Sequence, residues 1–370
     1  MLYVPVEYLR PDMVVARDIC SYPRDMHHVC LLSAGQKLTE TNIRRILTNG
    51  IAGVYIRNSD GDDMEVPELI NEALRSKAVN EIRAVYDDFG VKGSNTIQQR
   101  VEILSLISRQ LVERITSSSD VMFNMMDLKN YDDYTYRHCL SVSIYSTLTG
   151  MSMGMKVPTL EKLALSGLLH DMGKARIPRW IVNKPGKLTE EEFSIMRRHP
   201  TLGVEMFPRT TVQISPKVML AVEQHHERYD GAGYPKGLIG QEISLFGRIL
   251  AAADVYDALT SKRPYRRALM PNEAIEHIMA NSGKHFDPDV VTAFLRSVEA
   301  YPLGVCVRLS NGMQAVVVKN YKENTLRPVV RVISPGSSKG KILDLLYTTD
   351  NLNITVLGID YDGDSWQPGQ

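Results

Sequence analysis

The chain has 370 residues, with 43 lysines and arginines balanced by 43 aspartates and glutamates. This balance argues against a protein that binds nucleic acid polymers or membrane surfaces over its whole surface. No apolar run approaches the ~20 residues that span a bilayer, and the N-terminus lacks a signal-peptide pattern, so we expect a cytoplasmic protein. The length predicts two or three domains, which the elements below define in chain order.

Residues 1–62 alternate short apolar stretches ("YVPV", "MVVA", "GVYI") with turn residues. One helix is predicted over "TETNIRRILTNG" (39–50), with Thr39 or Thr41 as its N-cap. This mixture predicts a small N-terminal α+β domain. It is a candidate regulatory domain, although no residue in it indicates a ligand.

Residues 66–117 are predicted to form two linker helices, because apolar side chains recur at steps of three or four residues. These side chains are Val79, Ile82, Val85, Ile103, Leu104, Ile107, Leu111 and Ile115. Such helices either pack on a domain core or pair between subunits, and the pattern does not distinguish the two. A homodimer through the linker helices is therefore one alternative.

The remaining chain divides into a helical part, 118–300, and a strand-rich part, 301–370. In the second part "VCVRLSNGMQAVVVKN" predicts two strands around an Asn311-Gly312 turn. "PVVRVI" and "NITVLGI" predict further strands. We therefore expect a multidomain protein in which a central all-α domain is flanked by the N-terminal α+β domain and a C-terminal β-barrel or sheet module.

The central domain concentrates residues that suit a metal centre. Six of the nine histidines lie between positions 138 and 277, together with Asp171 and Asp254. Imidazole and carboxylate groups together suit divalent Fe, Mn, Ni or Zn. The pair His170-Asp171 follows the apolar stretch "LEKLALSGLL", where burying both side chains without a partner would be costly. Lys174 shares a helical face with Asp171, an arrangement that suits an anionic oxygen bound between a metal and an ammonium.

Five motifs in the central domain together resemble the HD-GYP branch of the HD phosphohydrolase superfamily, which are bacterial cyclic di-GMP phosphodiesterases. They follow the order and spacing of that family over 118–300. The motifs are "HDMGK" (170–174), "KPGKLTEEEFSIMRRH" (184–199), "HHERYDGAGYPKGL" (225–238), "RILAAADVYDALTSKRPYR" (248–266) and "FDPDVV" (286–291).

The resemblance implies two divalent ions per domain with Asp171 between them. On one side the implied ligands are His138, His170 and Asp254. On the other side they are His199, His225 and His226. Some members carry a glutamate four residues before the first histidine, where it contributes to a third metal; here that position is Tyr134, which favours two ions. Iron or manganese is expected first, with nickel or zinc as alternatives.

The resemblance also implies an activity, hydrolysis of cyclic di-GMP to linear pGpG with GMP as a further product. A metal-bridging hydroxide would attack phosphorus, with Asp171 and Lys174 as catalytic residues. Lys174, Arg263 and Arg266 would bind substrate phosphates, because ammonium and guanidinium groups suit phosphate oxygens. Diguanylate cyclase (GGDEF) proteins are the implied partners. Two alternatives stay open: hydrolysis of another cyclic dinucleotide or nucleotide, and a non-catalytic signalling module.

The stretch "HHERYDGAGYP" (225–235) places two histidines side by side. On a regular helix neighbouring side chains point about 100° apart, so both cannot face one buried site. The glycines that follow favour a sharp turn, and we expect His225 and His226 to reach one centre from a distorted helix end. Tyr234 is a candidate for stacking on a guanine base or for a partner contact, with a purely structural turn as the alternative.

Overall fold

The structure of the protein is a computed structural model that describes residues 1–21, 29–49, 51, 53–57, 66, 69–90, 97–117, 134–207, 213–261 and 268–361. Its N-terminal elements are β1 (Leu2–Pro5), β2 (Ile19–Ser21), β3 (Val29–Leu32), α1 (Glu40–Thr48) and β4 (Gly53–Ile56). β1 pairs with β4 and β2 with β3, both antiparallel. α1 begins after Thr39, whose hydroxyl accepts a hydrogen bond from the Asn42 amide, so Thr39 rather than Thr41 is its N-cap.

Helices form the middle of the described chain. Two long ones come first, α2 (Glu72–Gly90) and α3 (Ile97–Ser117). The others are α4 (Tyr134–Ser152), α5 (Val157–Leu169), α6 (Arg179–Val182), α7 (Glu190–Met196), α8 (His199–Glu205), α9 (Pro216–Gln224), α10 (Leu245–Thr260), α11 (Pro271–Ala280) and α12 (Pro288–Leu295). A 3-10 helix, Met172–Arg176, follows α5 closely. α2 and α3 are the two predicted linker helices, and α4 to α12 lie in the predicted all-α middle domain.

The apolar faces of α2 and α3 are buried within one chain. Ile82 of α2 and Leu104, Ile107 and Leu111 of α3 are fully buried in a core that they share with α4 and α5. Burial of each such side chain contributes about 1.5–3 kcal/mol. The structure therefore shows these helices packing on the domain core, and pairing between subunits stays a prediction.

The C-terminal residues form one five-stranded antiparallel sheet. Its strands are β5 (Cys306–Leu309), β6 (Gln314–Lys319), β7 (Val329–Val332), β8 (Ile342–Asp344) and β9 (Val356–Ile359). The order β8-β7-β6-β5-β9 leaves β8 and β9 at opposite edges of the described sheet, so of the two predicted alternatives, barrel or sheet, the structure shows the sheet. The predicted β5–β6 hairpin is present, with Gly312 at a positive φ of 84° in its turn.

The N-terminal elements and the C-terminal sheet share a hydrophobic core. Val4 of β1 and Ile46 of α1 pack in one cluster with Val316 of β6. Tyr361 connects two parts of the chain that are distant in sequence, because its hydroxyl donates a hydrogen bond to the Tyr3 carbonyl. The two ends of the chain therefore stabilise each other beside the helical domain. None of the helices in the described ranges is long and apolar enough to cross a membrane.

Candidate metal centre

The His-Asp pair lies where α5 ends. The second half of α5, from Leu163 to Leu169, is buried, and His170 and Asp171 follow its last residue at full burial. Tyr86 of α2 donates a hydrogen bond to the Asp171 carbonyl at 2.7 Å, which ties the turn to the linker helix. Gly173 lets α8 approach this turn, because a β-carbon there would collide with the His199 carbonyl. The backbone thus brings His199 next to Asp171.

Asp171 belongs to two groups of metal-binding side chains. One group is His138, His170 and Asp171, and the other is Asp171, His199, His225 and His226. Within each group the ligand atoms all lie within 4.8 Å of one another. The Asp171 Oδ1 atom lies 3.3 Å from His199 Nε2, and its Oδ2 atom lies 3.7 Å from His138 Nε2. The two carboxylate oxygens therefore face different groups.

Asp254 of α10 connects the two groups on the other side. Its Oδ1 atom lies 3.0 Å from His138 Nε2, and its Oδ2 atom lies 3.7 Å from His226 Nδ1. α9 ends at Gln224, so His225 and His226 both lie just beyond a helix end, and their ring centres are 4.2 Å apart. The structure brings together all seven residues that the resemblance implied as ligands.

Three of the histidines are oriented in the same way. The Nδ1–H of His170 donates to the Gly167 carbonyl at 2.8 Å, and that of His225 donates to the Val222 carbonyl at 2.8 Å. His199 makes the equivalent bond to the carbonyl three residues before it, at 2.9 Å. A carbonyl only accepts, so Nδ1 carries the proton and Nε2 keeps a lone pair directed at the centre.

The donor set fits divalent metal ions. His170 Nε2 is buried and has no hydrogen-bond partner among the described residues, although an unsatisfied buried nitrogen is unfavourable. Burial, reinforced by neighbouring histidines, holds the pKa of His225 well below its usual value, and burial lowers the pKa of His226 to about 3. Burial raises the pKa of Asp171, but Lys174 and His170 outweigh it and hold that pKa well below its usual value. Neutral imidazoles and ionised carboxylates are the forms that bind metal.

His138 differs from the other histidines because its Nδ1 faces a carboxylate. The Nδ1 atom lies 2.7 Å from Asp257 Oδ2, and both side chains are buried. Burial lowers the pKa of His138, but hydrogen bonds to Asp254 and Asp257 outweigh burial and raise it to about 9. An ion at Nε2 would displace a proton from this ring. The Asp257 carboxylate thus makes His138 a more basic nitrogen donor.

Lys174 lies beside the carboxylate as predicted. Its Nζ donates to Asp171 Oδ2 at 2.5 Å, and about a quarter of the side chain is exposed. The ammonium therefore stands between the buried centre and solvent. Arg263 and Arg266 lie outside the described residues, and the side chain of Tyr134 is not described either. The number of metal ions stays a prediction.

The loop after His226 folds back onto it. Gly233 packs so closely against residues 226–228 that a β-carbon would collide with their backbone. The buried Glu227 carboxylate accepts hydrogen bonds from the backbone amides of Lys236, at 2.7 Å, and Leu238, at 3.0 Å. These contacts hold the Tyr234 ring in a stack on the His226 ring, at 4.7 Å between centres. The loop thus has at least a structural role at the centre.

Three residues at the site were not identified from the sequence. Asp257 lies three positions after Asp254, a spacing that places both on one face of α10 and was the available signal. Glu227 follows the paired histidines directly, but nothing in the sequence shows that its carboxylate meets the amides of residues 236 and 238. Tyr86 is a long-range contact from α2, and no local pattern indicates it.

A helical domain that presents a His-Asp pair inside such a donor cluster has the features of an HD domain, and residues 110–290 match the family model of the HD domain. A cyclic di-GMP phosphodiesterase of Pseudomonas aeruginosa, PA4108, is 41% identical over 62% of this chain and 56% of that protein. A cyclic di-GMP phosphodiesterase of Thermotoga maritima is 36% identical over 64% of this chain and 65% of that protein. The chain therefore spans less than two thirds of either relative.

A solved structure shares the fold. The protein Bd1817 of Bdellovibrio bacteriovorus, described as an HDG"Y"P protein, superposes with a TM-score of 0.52 at 17% identity. The match covers 79% of this chain and 97% of that one. With the family match and the relatives, the resemblance drawn from the five motifs is confirmed. The central domain is an HD domain of the HD-GYP family.

Proposed function

We propose that this chain is a metal-dependent phosphodiesterase that hydrolyses cyclic di-GMP to linear pGpG. The observation that carries the proposal is the position of Asp171, a buried carboxylate between two groups of imidazole nitrogens with an ammonium beside it. Both relatives described above are named cyclic di-GMP phosphodiesterases, which supports the choice of substrate. Hydrolysis of pGpG to GMP is a second step within the same proposal.

The proposed metal site holds two ions that share Asp171. The ligands of one ion would be His138, His170, Asp171 and Asp254. The ligands of the other would be Asp171, His199, His225 and His226. When bound, such ions supply water that ionises near neutral pH and positive charge for the phosphoryl oxygens. Iron or manganese suits this mixture of imidazole and carboxylate, and nickel or zinc accepts the same donors.

The side chains around the ions would place and neutralise the substrate. Lys174 is held by Asp171 on the solvent side of the centre, so its ammonium is placed to meet a phosphate oxygen. The buried histidines and Tyr234 enclose the centre and limit the water that reaches it. We assign Arg263 and Arg266 to the substrate phosphates on the basis of the family resemblance, together with the affinity of guanidinium for phosphate.

The proposal extends to the rest of the chain. We divide it into an N-terminal domain (1–62), linker helices (66–117), the HD-GYP domain (118–300) and a C-terminal sheet module (301–370). Contact with GGDEF proteins and a cytoplasmic location belong to the same proposal. A homodimer through the linker helices also belongs to this proposal; because the apolar faces of α2 and α3 are buried within one chain, it would use the exposed faces of these helices.

Product analysis on cyclic di-GMP tests the function. We expect protein purified without oxygen and loaded with iron or manganese to release pGpG. The double variant His170→Ala plus Asp171→Ala should keep its helical circular dichroism but lose hydrolysis, because it removes a donor from each group. Turnover that persists in this variant would refute the assignment. Cyclic GMP-AMP and nucleoside triphosphates, assayed in parallel, test the alternative substrates.

A further inference from the structure

A row of aromatic rings leads from the metal centre to the surface. The Tyr234 ring stacks on His226 with 4.7 Å between centres and 29° between planes. The Phe193 ring of α7 meets Tyr234 edge to face, with 6.3 Å between centres. The Arg197 guanidinium lies over the Phe193 ring, 5.1 Å from its centre. We call Phe193, Arg197 and Tyr234 the aromatic wall.

The position of Phe193 is not explained by the hydrophobic core. The residues of α7 are all at least partly exposed, and Phe193 itself is 40% exposed. A large apolar ring on such a surface helix gains little from folding, since burial is what makes it favourable. Arg197 makes no ion pair with any described residue. Both side chains are therefore available to a ligand.

The wall stands on a fixed support. α7 begins with a capping box, in which the Thr189 hydroxyl accepts from the Glu192 amide and the Glu192 carboxylate accepts from the Thr189 amide. Lys184 also donates to both carboxylate oxygens of Glu192, at 2.6 and 2.8 Å. Phe193 and Arg197 are one helical turn apart and so share a face. A binding surface on an anchored helix keeps its geometry when a ligand arrives.

We infer that the aromatic wall is a nucleobase subsite, at which a purine of the substrate packs against Phe193 while its phosphate lies at the metal centre. The inference rests on the proposed function, because it extends the same site outward. Nucleobases stack on aromatic rings and on guanidinium planes, and purines offer the larger ring surface. Arg197 adds a cation beside this ring, which favours a phosphate-bearing ligand.

Binding of GMP and UMP to the metal-loaded protein, measured by calorimetry, isolates the base. The two nucleotides carry the same phosphate and ribose, so the ratio of their Kd values reports on base contacts. We expect the wild type to bind GMP about tenfold more tightly than UMP, and Phe193→Ala to bring this ratio close to one. Phe193→Tyr keeps the ring and should keep the ratio. Tyr347→Ala removes an exposed aromatic ring of the C-terminal module and should change neither Kd.

Each other result overturns the subsite. Three results would assign Phe193 to a different role. The wild type could show no preference for GMP, the preference could survive in Phe193→Ala, or that variant could bind both nucleotides more weakly by the same factor. The metal content and melting temperature of Phe193→Ala should match the wild type, because the ring lies on a surface helix outside the hydrophobic core and the variant keeps every metal ligand. Failure of the proposed function has a separate signature, the absence of pGpG release from cyclic di-GMP by the wild type.

Discussion

Asp257→Asn should weaken one metal site while leaving the other intact. In the wild type the Asp257 carboxylate accepts from Nδ1–H of His138 at 2.7 Å, with both groups buried. This bond fixes the ring so that Nε2 faces Asp171 and Asp254, and it makes Nε2 more basic. Asparagine has nearly the same shape but no charge, and its amide can turn an NH₂ group toward Nδ1.

The expected loss follows from comparable carboxylate–histidine pairs at metal sites. Removing such a partner lowers metal affinity about 10- to 100-fold, which corresponds to roughly 1.4–2.8 kcal/mol. None of the hydrogen bonds described for His199, His225 and His226 involves Asp257, so the site formed by these three should keep its affinity. A two-site binding isotherm with manganese, at fixed pH, should therefore show one weakened and one unchanged step.

Asp287→Asn is the matched control. Asp287 is also a buried carboxylate in the helical domain, but it pairs with Arg248 and caps α12. Its substitution should lower stability without separating the two binding steps. If Asp257→Asn bound both ions with wild-type affinity, or lost both equally, the idea that Asp257 orients His138 for one site would be wrong.

Three further predictions concern the loop after His226, the half-buried His285 and the bound metal ions. Glu227→Gln should destabilise the protein by about 2 kcal/mol in urea unfolding, because a buried, charged acceptor of two backbone amides is lost. Glu223→Gln removes only an ion pair with the exposed Lys236 and should cost less than about 1 kcal/mol, so equal losses would contradict this prediction. Burial, with Arg228 nearby, lowers the pKa of His285 to about 4, so the unfolded chain binds the additional proton between pH 6.5 and 4 and stability falls as pH falls through that range. His285→Gln should flatten that part of the stability profile, and an unchanged slope would refute the assignment. Removing the ions with a chelator should lower the melting temperature, since ions at 100 times their Kd add about 2.7 kcal/mol each, and an unchanged melting temperature would show that they do not bind the folded state.

The sequence predicted the parts of the fold that depend on local patterns. The α3 face of Leu104, Ile107 and Leu111 follows from spacing, and the Asn311-Gly312 hairpin follows from turn chemistry. It did not predict that β1 and α1 share a core with β6, because burial across more than 250 residues leaves no local signal. The sequence did not distinguish a closed barrel from an open sheet. Only the strand pairing in the structure showed that β8 and β9 lie at opposite edges.

The sequence predicted which residues form the candidate site better than it predicted the contacts that hold them in place. Six of the seven implied ligands lie in the five motifs, and His138 was implied by the family resemblance outside them. The helix end at Gln224 explains how His225 and His226 reach one centre, as their adjacency before a glycine turn indicated. The contacts that orient them depend on tertiary structure. Asp257, Glu227 and Tyr86 each act through a partner that is distant in sequence or on another element, and spacing alone does not identify such partners.

Anomalous diffraction from crystals of the metal-loaded protein tests the central claim most directly, because it locates each bound ion. We predict two peaks in each chain that flank the Asp171 carboxylate, one beside His138 and His170 and the other beside His199 and His225. A single peak, a third peak near Tyr134, or peaks away from Asp171 would contradict the account of a two-metal centre that shares this carboxylate.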